Sequence, residues 1–204
     1  MTVHYHKGDL PAGLDFGKAV AVDTETMGLS LTRDMLCVVQ LSAGDGDAHV
    51  VQMDRKTYDC PNLKALLCEP GVEKILHFAR FDVAMVERYL NVTLAPVFCT
   101  KIASKLCRTY TDRHGLKDVT RELVGIDMNK QQQSSDWGAD ELSPAQLEYA
   151  ASDVLHLHTL RDRLSEMLER EGRMALARAC FDFLPTRARL DLAGWPETDI
   201  FAHS

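Results

Sequence analysis

Residues 19–29 read AVAVDTETMGL, an apolar run that leads directly into two carboxylates, Asp23 and Glu25, separated by one threonine. The apolar run is typical of a buried β-strand. On a strand, residues two apart point to the same face, so the two carboxylates are expected to converge. Close like charges repel, and burying an unpaired carboxylate is costly, unless a divalent cation lies between them. Since carboxylate oxygens suit Mg²⁺ or Mn²⁺, the pattern predicts either a metal site or an ordinary solvated strand end.

The composition around this stretch indicates one globular domain. The chain has 204 residues and is 46% apolar, which is enough for a single sizeable core. No apolar run reaches the roughly 20 residues that cross a bilayer, and the N-terminal residues lack the apolar region of a secretory signal. The six cysteines are scattered, without a Cys-x-x-Cys pair, as reduced core thiols are. We therefore expect a cytoplasmic protein without a membrane partner.

The charge distribution leaves a nucleic-acid partner open. A net charge of -7 argues against a broadly basic surface. However, residues 101–130 hold seven Lys/Arg against four Asp/Glu. A local basic strip, or bound metal ions, would let an acidic protein bind phosphates, whereas the alternative is a solvated helix face.

The hydrophobic pattern predicts strands early in the chain and helices later, which indicates an α/β or α+β fold around a mixed sheet. The strongest single signal is a long helix with Ser143 as N-cap, Pro144 in its first turn and Gln146 completing a capping box. The strands are expected at 19–23, 35–42, 49–53, 74–78 and 97–100, and the helices at 61–68, 82–90, 102–107, 116–124 and 143–172.

Two further acidic positions could join the opening pair. Asp82 begins a helix directly after a strand-like run, although an ordinary helix-capping acid would look the same. Tyr149 and Asp153 are four residues apart on the long helix, so the phenol and the carboxylate share one face. Each feature taken alone is commonplace in structural roles.

Taken together, three motifs resemble the DEDD superfamily of 3′–5′ exonucleases in its tyrosine (DEDDy) branch: VDTETMGL, HFARFDVAMV and YAASDVLHL. KQQQSSDW is similar to ribonuclease D relatives, and TKIASKL, TYTDRHGLK and the closing GWPETDIFAHS resemble the short bacterial nano-RNase C group. The resemblance implies a ribonuclease H-like exonuclease fold, with a mixed central β-sheet flanked by helices. It also implies one exonuclease domain over residues 1–204, in which residues from about 180 to 204 pack on the core or on a subunit interface.

The resemblance further implies a metal-dependent 3′–5′ exoribonuclease that hydrolyses very short RNA, especially dinucleotides, to 5′-mononucleotides. Two divalent ions, Mg²⁺ or Mn²⁺, would be held by Asp23, Glu25, Asp82 and Asp153, and Tyr149 would orient the attacking water. A ring-like homo-oligomer of octamer type is implied as well. A broader exonuclease that also acts on single-stranded DNA remains an alternative, as does an inactive nucleic-acid-binding module on the same fold.

The candidate substrate contacts rest on thinner signals. Leu29 resembles the family's apolar wedge between bases, although it could be an ordinary core leucine. Phe81 or Phe78 could stack on a base or pack in the core. The basic and polar positions could hold phosphates or could belong to a solvated loop. The full candidate set is Leu29, His77, Phe81, Arg113, His114, Lys117, Gln132, Ser135 and Trp137.

Overall fold

The computed structural model describes residues 2–128, 132 and 134–203. The strands are β1 Val3–Lys7, β2 Ala19–Thr26, β3 Leu36–Ser42, β4 Ala48–Gln52, β5 Glu73–Leu76 and β6 Val97–Cys99. The helices are α1 Pro61–Cys68, α2 Arg80–Leu90, α3 Thr100–Cys107, α4 Leu116–Val124, α5 Pro144–Leu155, α6 Leu157–Arg170 and α7 Met174–Leu192.

The six strands form one mixed sheet in the order β1-β4-β3-β2-β5-β6. β3 pairs antiparallel with β2 and with β4, whereas the β1–β4, β2–β5 and β5–β6 pairs are parallel. β3 therefore runs against the direction of the other strands. The predicted mixed sheet flanked by helices is confirmed.

Both faces of the sheet are covered. Val38 and Val50 belong to a small cluster with Trp137 and Ala150, while their neighbours along the strands, Val39 and Val51, join the main core. This division follows from the alternation of side chains along a strand. The apolar start of β2 is buried throughout, as its sequence predicts.

The predicted long helix at 143–172 is in fact two helices. Its N-terminal capping box is confirmed, since Ser143 and Gln146 exchange hydrogen bonds of 3.0 and 3.2 Å. The break falls at His156, which caps both helices and whose φ of −104° and ψ of −3° depart from regular α-helix values. Continuous apolar spacing could not reveal this break, because both helices bury apolar residues in the same core, Ala151 and Val154 from α5 and four leucines from α6.

Two elements, β1 and α7, are absent from the sequence-based prediction. α7 contains Pro185 within the helix, a residue that normally argues against helix, since it removes one hydrogen bond. Phe181 and Leu184 on α7 are buried in the core. Across the described residues, no helix is long and apolar enough to span a membrane.

Candidate active site

The carboxyl ends of three parallel strands define where the candidate site lies. β2 ends just after Asp23 and Glu25, β5 is followed by His77, and β6 leads directly into α3. Because parallel strands end at the same edge of a sheet, the residues that follow them converge there. α2, which follows β5, carries Asp82 in its first turn to the same edge.

A pocket of about 610 Å³ opens at this edge. All five residues predicted to be catalytic contribute to its walls: Asp23, Glu25, Asp82, Tyr149 and Asp153. Strand, helix start and mid-helix positions that are far apart in sequence therefore face one cavity. The strand periodicity predicts that Asp23 and Glu25 converge, and the fold brings the other three residues to the same cavity.

Three of these carboxylates are close enough to share a cation. Asp23, Glu25 and Asp153 each offer an oxygen, and the three oxygens lie within 4.8 Å of one another. Asp82 lies beside this trio, where its Oδ1 accepts a 2.6 Å hydrogen bond from the Thr24 hydroxyl. A cluster of carboxylate oxygens is the donor set that Mg²⁺ and Mn²⁺ prefer, so the residues present fit such ions.

The electrostatics of the cluster point the same way. Burial, then the charges of Asp82, Asp153 and Glu25, raise the pKa of Asp23 well above its usual value. Burial, then the charges of Asp153 and Asp82, raise the pKa of Glu25 to about 9. Burial also raises the pKa of Asp82 to about 7. Without a cation, the cluster would hold protons at neutral pH, so bound positive charge is what allows these acids to ionise together.

Neighbouring strands orient two of the carboxylates. Gln40 lies opposite Asp23 in the β2–β3 register, and its amide nitrogen donates a 2.8 Å hydrogen bond to Asp23 Oδ2. Thr24, between the two acids, points to the other face of β2 and donates to Asp82. Asp23 and Asp82 thus each have one carboxylate oxygen held by a neutral hydrogen-bond donor.

Tyr149 remains protonated across the working pH range. Burial, followed by the charge of Asp153, raises the pKa of its phenol, and the phenol hydrogen-bonds Asp153 one helical turn away. The buried Trp137 ring packs against Tyr149 with 6.0 Å between ring centroids. The phenol can therefore donate a hydrogen bond in the pocket, but it is a poor base.

The candidate substrate contacts divide into two groups. The residues that line the pocket are Leu29, His77, Phe81, Lys117, Ser135 and Trp137. Leu29 is 85% exposed, which rules out the core-leucine interpretation. Trp137 is 2% exposed, so most of its surface supports the wall and Tyr149.

Arg113, His114 and Gln132 are not among the described residues that line the pocket. His114 Nδ1 lies 2.9 Å from the Ser104 hydroxyl. The carbonyl of Arg113 accepts a hydrogen bond from the buried Arg108, and that of Gln132 accepts one from Ser135. These contacts assign the three residues to the loops beside the pocket, where they shape the chain around Lys117 and Ser135.

Sequence reasoning missed the pocket residue Lys101 and the supporting residue Gln40, although it named Phe78 as a possible stacking surface. Lys101 lines the pocket and places its ammonium 4.1 Å from the centroid of the Phe78 ring, which also lines the pocket. The position of Lys101 directly after β6 is a signal that the parallel-strand rule could have used. Gln40 had no local signal, because its role depends on the register of β3 against β2.

Comparison with known proteins identifies the class of protein to which this chain belongs. A sequence profile of 3′–5′ exonucleases matches residues 10–169, which is most of the chain. The chain therefore belongs to the 3′–5′ exonuclease family. This confirms the predicted class of enzyme at the level of the family.

Individual relatives show which members of the family this chain is similar to. Brucella melitensis NrnC, a nano-RNase C, is 55% identical with a TM-score of 0.96 in its structure with bound Mg²⁺, and 56% identical with a TM-score of 0.97 in its structure bound to pGG. Both comparisons cover 100% of each chain. A ribonuclease D from Gluconacetobacter diazotrophicus is 37% identical over 155 residues, which are 76% of this chain and 39% of the relative. The chain thus spans about two fifths of such relatives, and the predicted likeness to both groups is confirmed.

Proposed function

We propose that this protein is a metal-dependent 3′–5′ exoribonuclease that hydrolyses very short RNA, dinucleotides above all, to 5′-mononucleotides. The observation that carries the proposal is the carboxylate cluster of Asp23, Glu25 and Asp153, with Asp82 and Tyr149, in one open pocket. The cluster has the donors for divalent ions, and the pocket has side chains suited to bases and phosphates.

We assign the four carboxylates to two divalent ions, Mg²⁺ or Mn²⁺. When bound, two such ions stabilise the attacking and leaving oxygens of a phosphodiester and lower the pKa of water. The protein's own contribution is to fix the carboxylate oxygens, through Gln40 for Asp23 and through Thr24 for Asp82. Mg²⁺ in the NrnC structure supports the choice of ion.

The remaining pocket residues divide the work on the substrate. Tyr149, a protonated phenol beside Asp153, is positioned to hydrogen-bond the attacking water. Lys101 and Lys117 supply positive charge for phosphates on a wall that also carries the carboxylates. The exposed side chain of Leu29 can pack against a terminal base, as the family's wedge does.

The preference for dinucleotides is supported by the relative bound to pGG, which matches this chain along its full length. We infer one exonuclease domain in a ring-like homo-oligomer, acting in the cytoplasm. In such a ring, restricted access to the sites would exclude long structured RNA and favour short single-stranded ends.

The test is a length series of 5′-labelled RNA, from two residues upward, and of matched single-stranded DNA, with Mg²⁺ or Mn²⁺. Fastest turnover of the two-residue RNA, abolished by Asp23→Asn in a folded protein, is expected. Equal rates on every length and on DNA would replace the dinucleotide claim with the broader exonuclease. Binding without hydrolysis in the wild type would indicate the inactive module, and full activity of Asp23→Asn would contradict the metal proposal.

A further inference from the structure

Phe78 has a backbone conformation that aromatic residues rarely adopt. It lies between β5 and α2 with a φ of 62°, in the left-handed region. For a bulky residue this conformation is strained, and the surrounding structure must maintain it. Strain of this kind concentrates at binding and catalytic sites, so the position warrants a functional explanation.

Core packing does not supply that explanation. The Phe78 ring is 48% exposed, whereas its neighbours Leu76 and Ala79 are fully buried. The ring instead lines the pocket that contains the carboxylate cluster. The unfavourable backbone conformation therefore turns the Phe78 ring toward the cavity instead of burying it in the core.

Lys101 gives the same wall a positive charge. Its ammonium lies 4.1 Å from the centroid of the Phe78 ring, and burial is the main cause that lowers its pKa. The nearby charge of Lys105 lowers this pKa further, and no carboxylate of the described residues raises it. A cation held against a ring, without an acidic partner, is suited to an incoming phosphate.

We propose that Phe78 is a specificity-determining residue whose ring stacks on a nucleobase, with Lys101 contacting a phosphate of the same oligonucleotide. The ligand is a single-stranded oligonucleotide end with an unpaired base, so this inference rests on the proposed function. Stacking on an aromatic ring tolerates any base, which suits an enzyme that clears short fragments of every sequence.

The decisive variant is Phe78→Gly, since glycine adopts a φ of 62° without strain. Loss of stacking should raise KM for the shortest substrate by roughly 5- to 100-fold with little change in kcat. The same variant should change Tm little, because the relief of backbone strain offsets the loss of the buried half of the ring. Phe78→Tyr, which preserves the ring, should restore KM. A merely structural role for Phe78 would instead lower Tm and kcat together.

Asn91→Gly is the matched control. Asn91 also has a positive φ, 55°, but it lies at the exposed end of α2. It should change Tm at most slightly and leave KM unaltered.

An abasic substrate separates stacking from other effects. Binding of labelled oligonucleotides to the Asp23→Asn protein should weaken with Phe78→Gly when the end carries a base, and should not change when that base is missing. Equal weakening on both ligands, or none on either, would overturn the stacking role. Turnover by the wild-type protein tests the proposed function independently of Phe78. Slow hydrolysis of dinucleotides, together with weaker binding of the variant only when the base is present, would refute the proposed function and leave the stacking role standing.

Discussion

Gln40 is a buried side chain in which one of the two polar groups of the amide has no hydrogen-bond partner among the described residues. Its nitrogen donates to Asp23, but its Oε1 has no partner among the described residues. An unsatisfied buried oxygen costs about 1–3 kcal/mol, so the amide is a poor choice for stability alone. Its value lies in holding one oxygen of Asp23 and leaving the other for a cation.

We therefore predict that Gln40→Met weakens activation by Mg²⁺ about 10- to 100-fold, as the loss of a residue supporting a metal ligand typically does. The free energy of unfolding should change by less than about 1.5 kcal/mol, since the shape is kept and the unpaired oxygen is removed. Activity against Mg²⁺ concentration, with urea unfolding, checks both. Gln40→Glu should be worse than methionine, because it adds a further carboxylate; a Gln40→Met protein with normal Mg²⁺ dependence would contradict the role.

The raised carboxylate pKa values predict an unusual pH dependence of stability. In the metal-free protein, Asp82 and Glu25 hold protons up to about pH 7 and about pH 9, whereas the unfolded chain releases them near 4. The folded state binds more protons, so stability should fall as pH rises through this window, by up to about 1.4 kcal/mol per proton per pH unit.

Saturating Mg²⁺ should cancel that loss, because the ionised carboxylates then have a cation. The gain in Tm from Mg²⁺ is therefore expected to be larger at pH 9 than at pH 6, measured against protein in chelator. Asp23→Asn should reduce the difference. A gain in Tm that is the same at every pH would be inconsistent with protonated carboxylates in the metal-free site.

At this scale, the sequence was sufficient for the acids and insufficient for their surroundings. Strand and helix periodicity placed Asp23 with Glu25 and Tyr149 with Asp153, because those relations are local. The direction of Arg113 and His114 was not predictable, since it depends on Arg108 and Ser104, which hold the loop from α3.

Among the elements, regular segments were predicted well, and α1 and α4 have the predicted bounds. Those that failed depend on tertiary contacts. β1 is a short edge strand that exists through pairing with β4. α7 tolerates Pro185 because Phe181, Leu184 and Ala188 are buried against the core, which stabilises the helix beyond its local propensity.

The attachment of α7 to α2 gives an element-scale prediction. Asp191 on α7 is 4% exposed and accepts hydrogen bonds of 2.6 and 2.8 Å from Arg80, and one of 3.0 Å from Arg187. Asp191→Ala leaves two half-buried guanidinium groups facing each other. The expected loss is about 3–5 kcal/mol in the free energy of unfolding, measured in urea.

The exposed pair between Arg189 and Glu87 provides the comparison. Arg189→Ala should cost at most about 1 kcal/mol, since such pairs contribute little. Because Arg80 begins the helix that carries Asp82, Asp191→Ala should also reduce activity, and Arg189→Ala should not. Similar stabilities for the two variants would show that α7 is held by its apolar contacts alone.

At the scale of the whole molecule, five of the eleven large apolar side chains exposed among the described residues lie near the C-terminus. On α7 and in the segment after it, they are Leu176, Phe183, Trp195, Ile200 and Phe201. Phe183 and Phe201 lie together, with 6.1 Å between ring centroids. One face of α7 is buried against the core, so this exposed apolar surface is the part of the segment available for the proposed subunit contact.

We predict that Phe183→Glu combined with Phe201→Glu converts the proposed ring into smaller species. Charges in an apolar interface lose hydration without gaining a partner, and each contact in a ring repeats around the assembly. Light scattering behind size exclusion measures the mass, and Leu14→Glu, which changes an exposed leucine at a distance in the sequence, is the control. The double variant should unfold cooperatively, as a folded subunit does, while the molar mass of the assembly falls. An unchanged molar mass would show that this surface is not part of the interface.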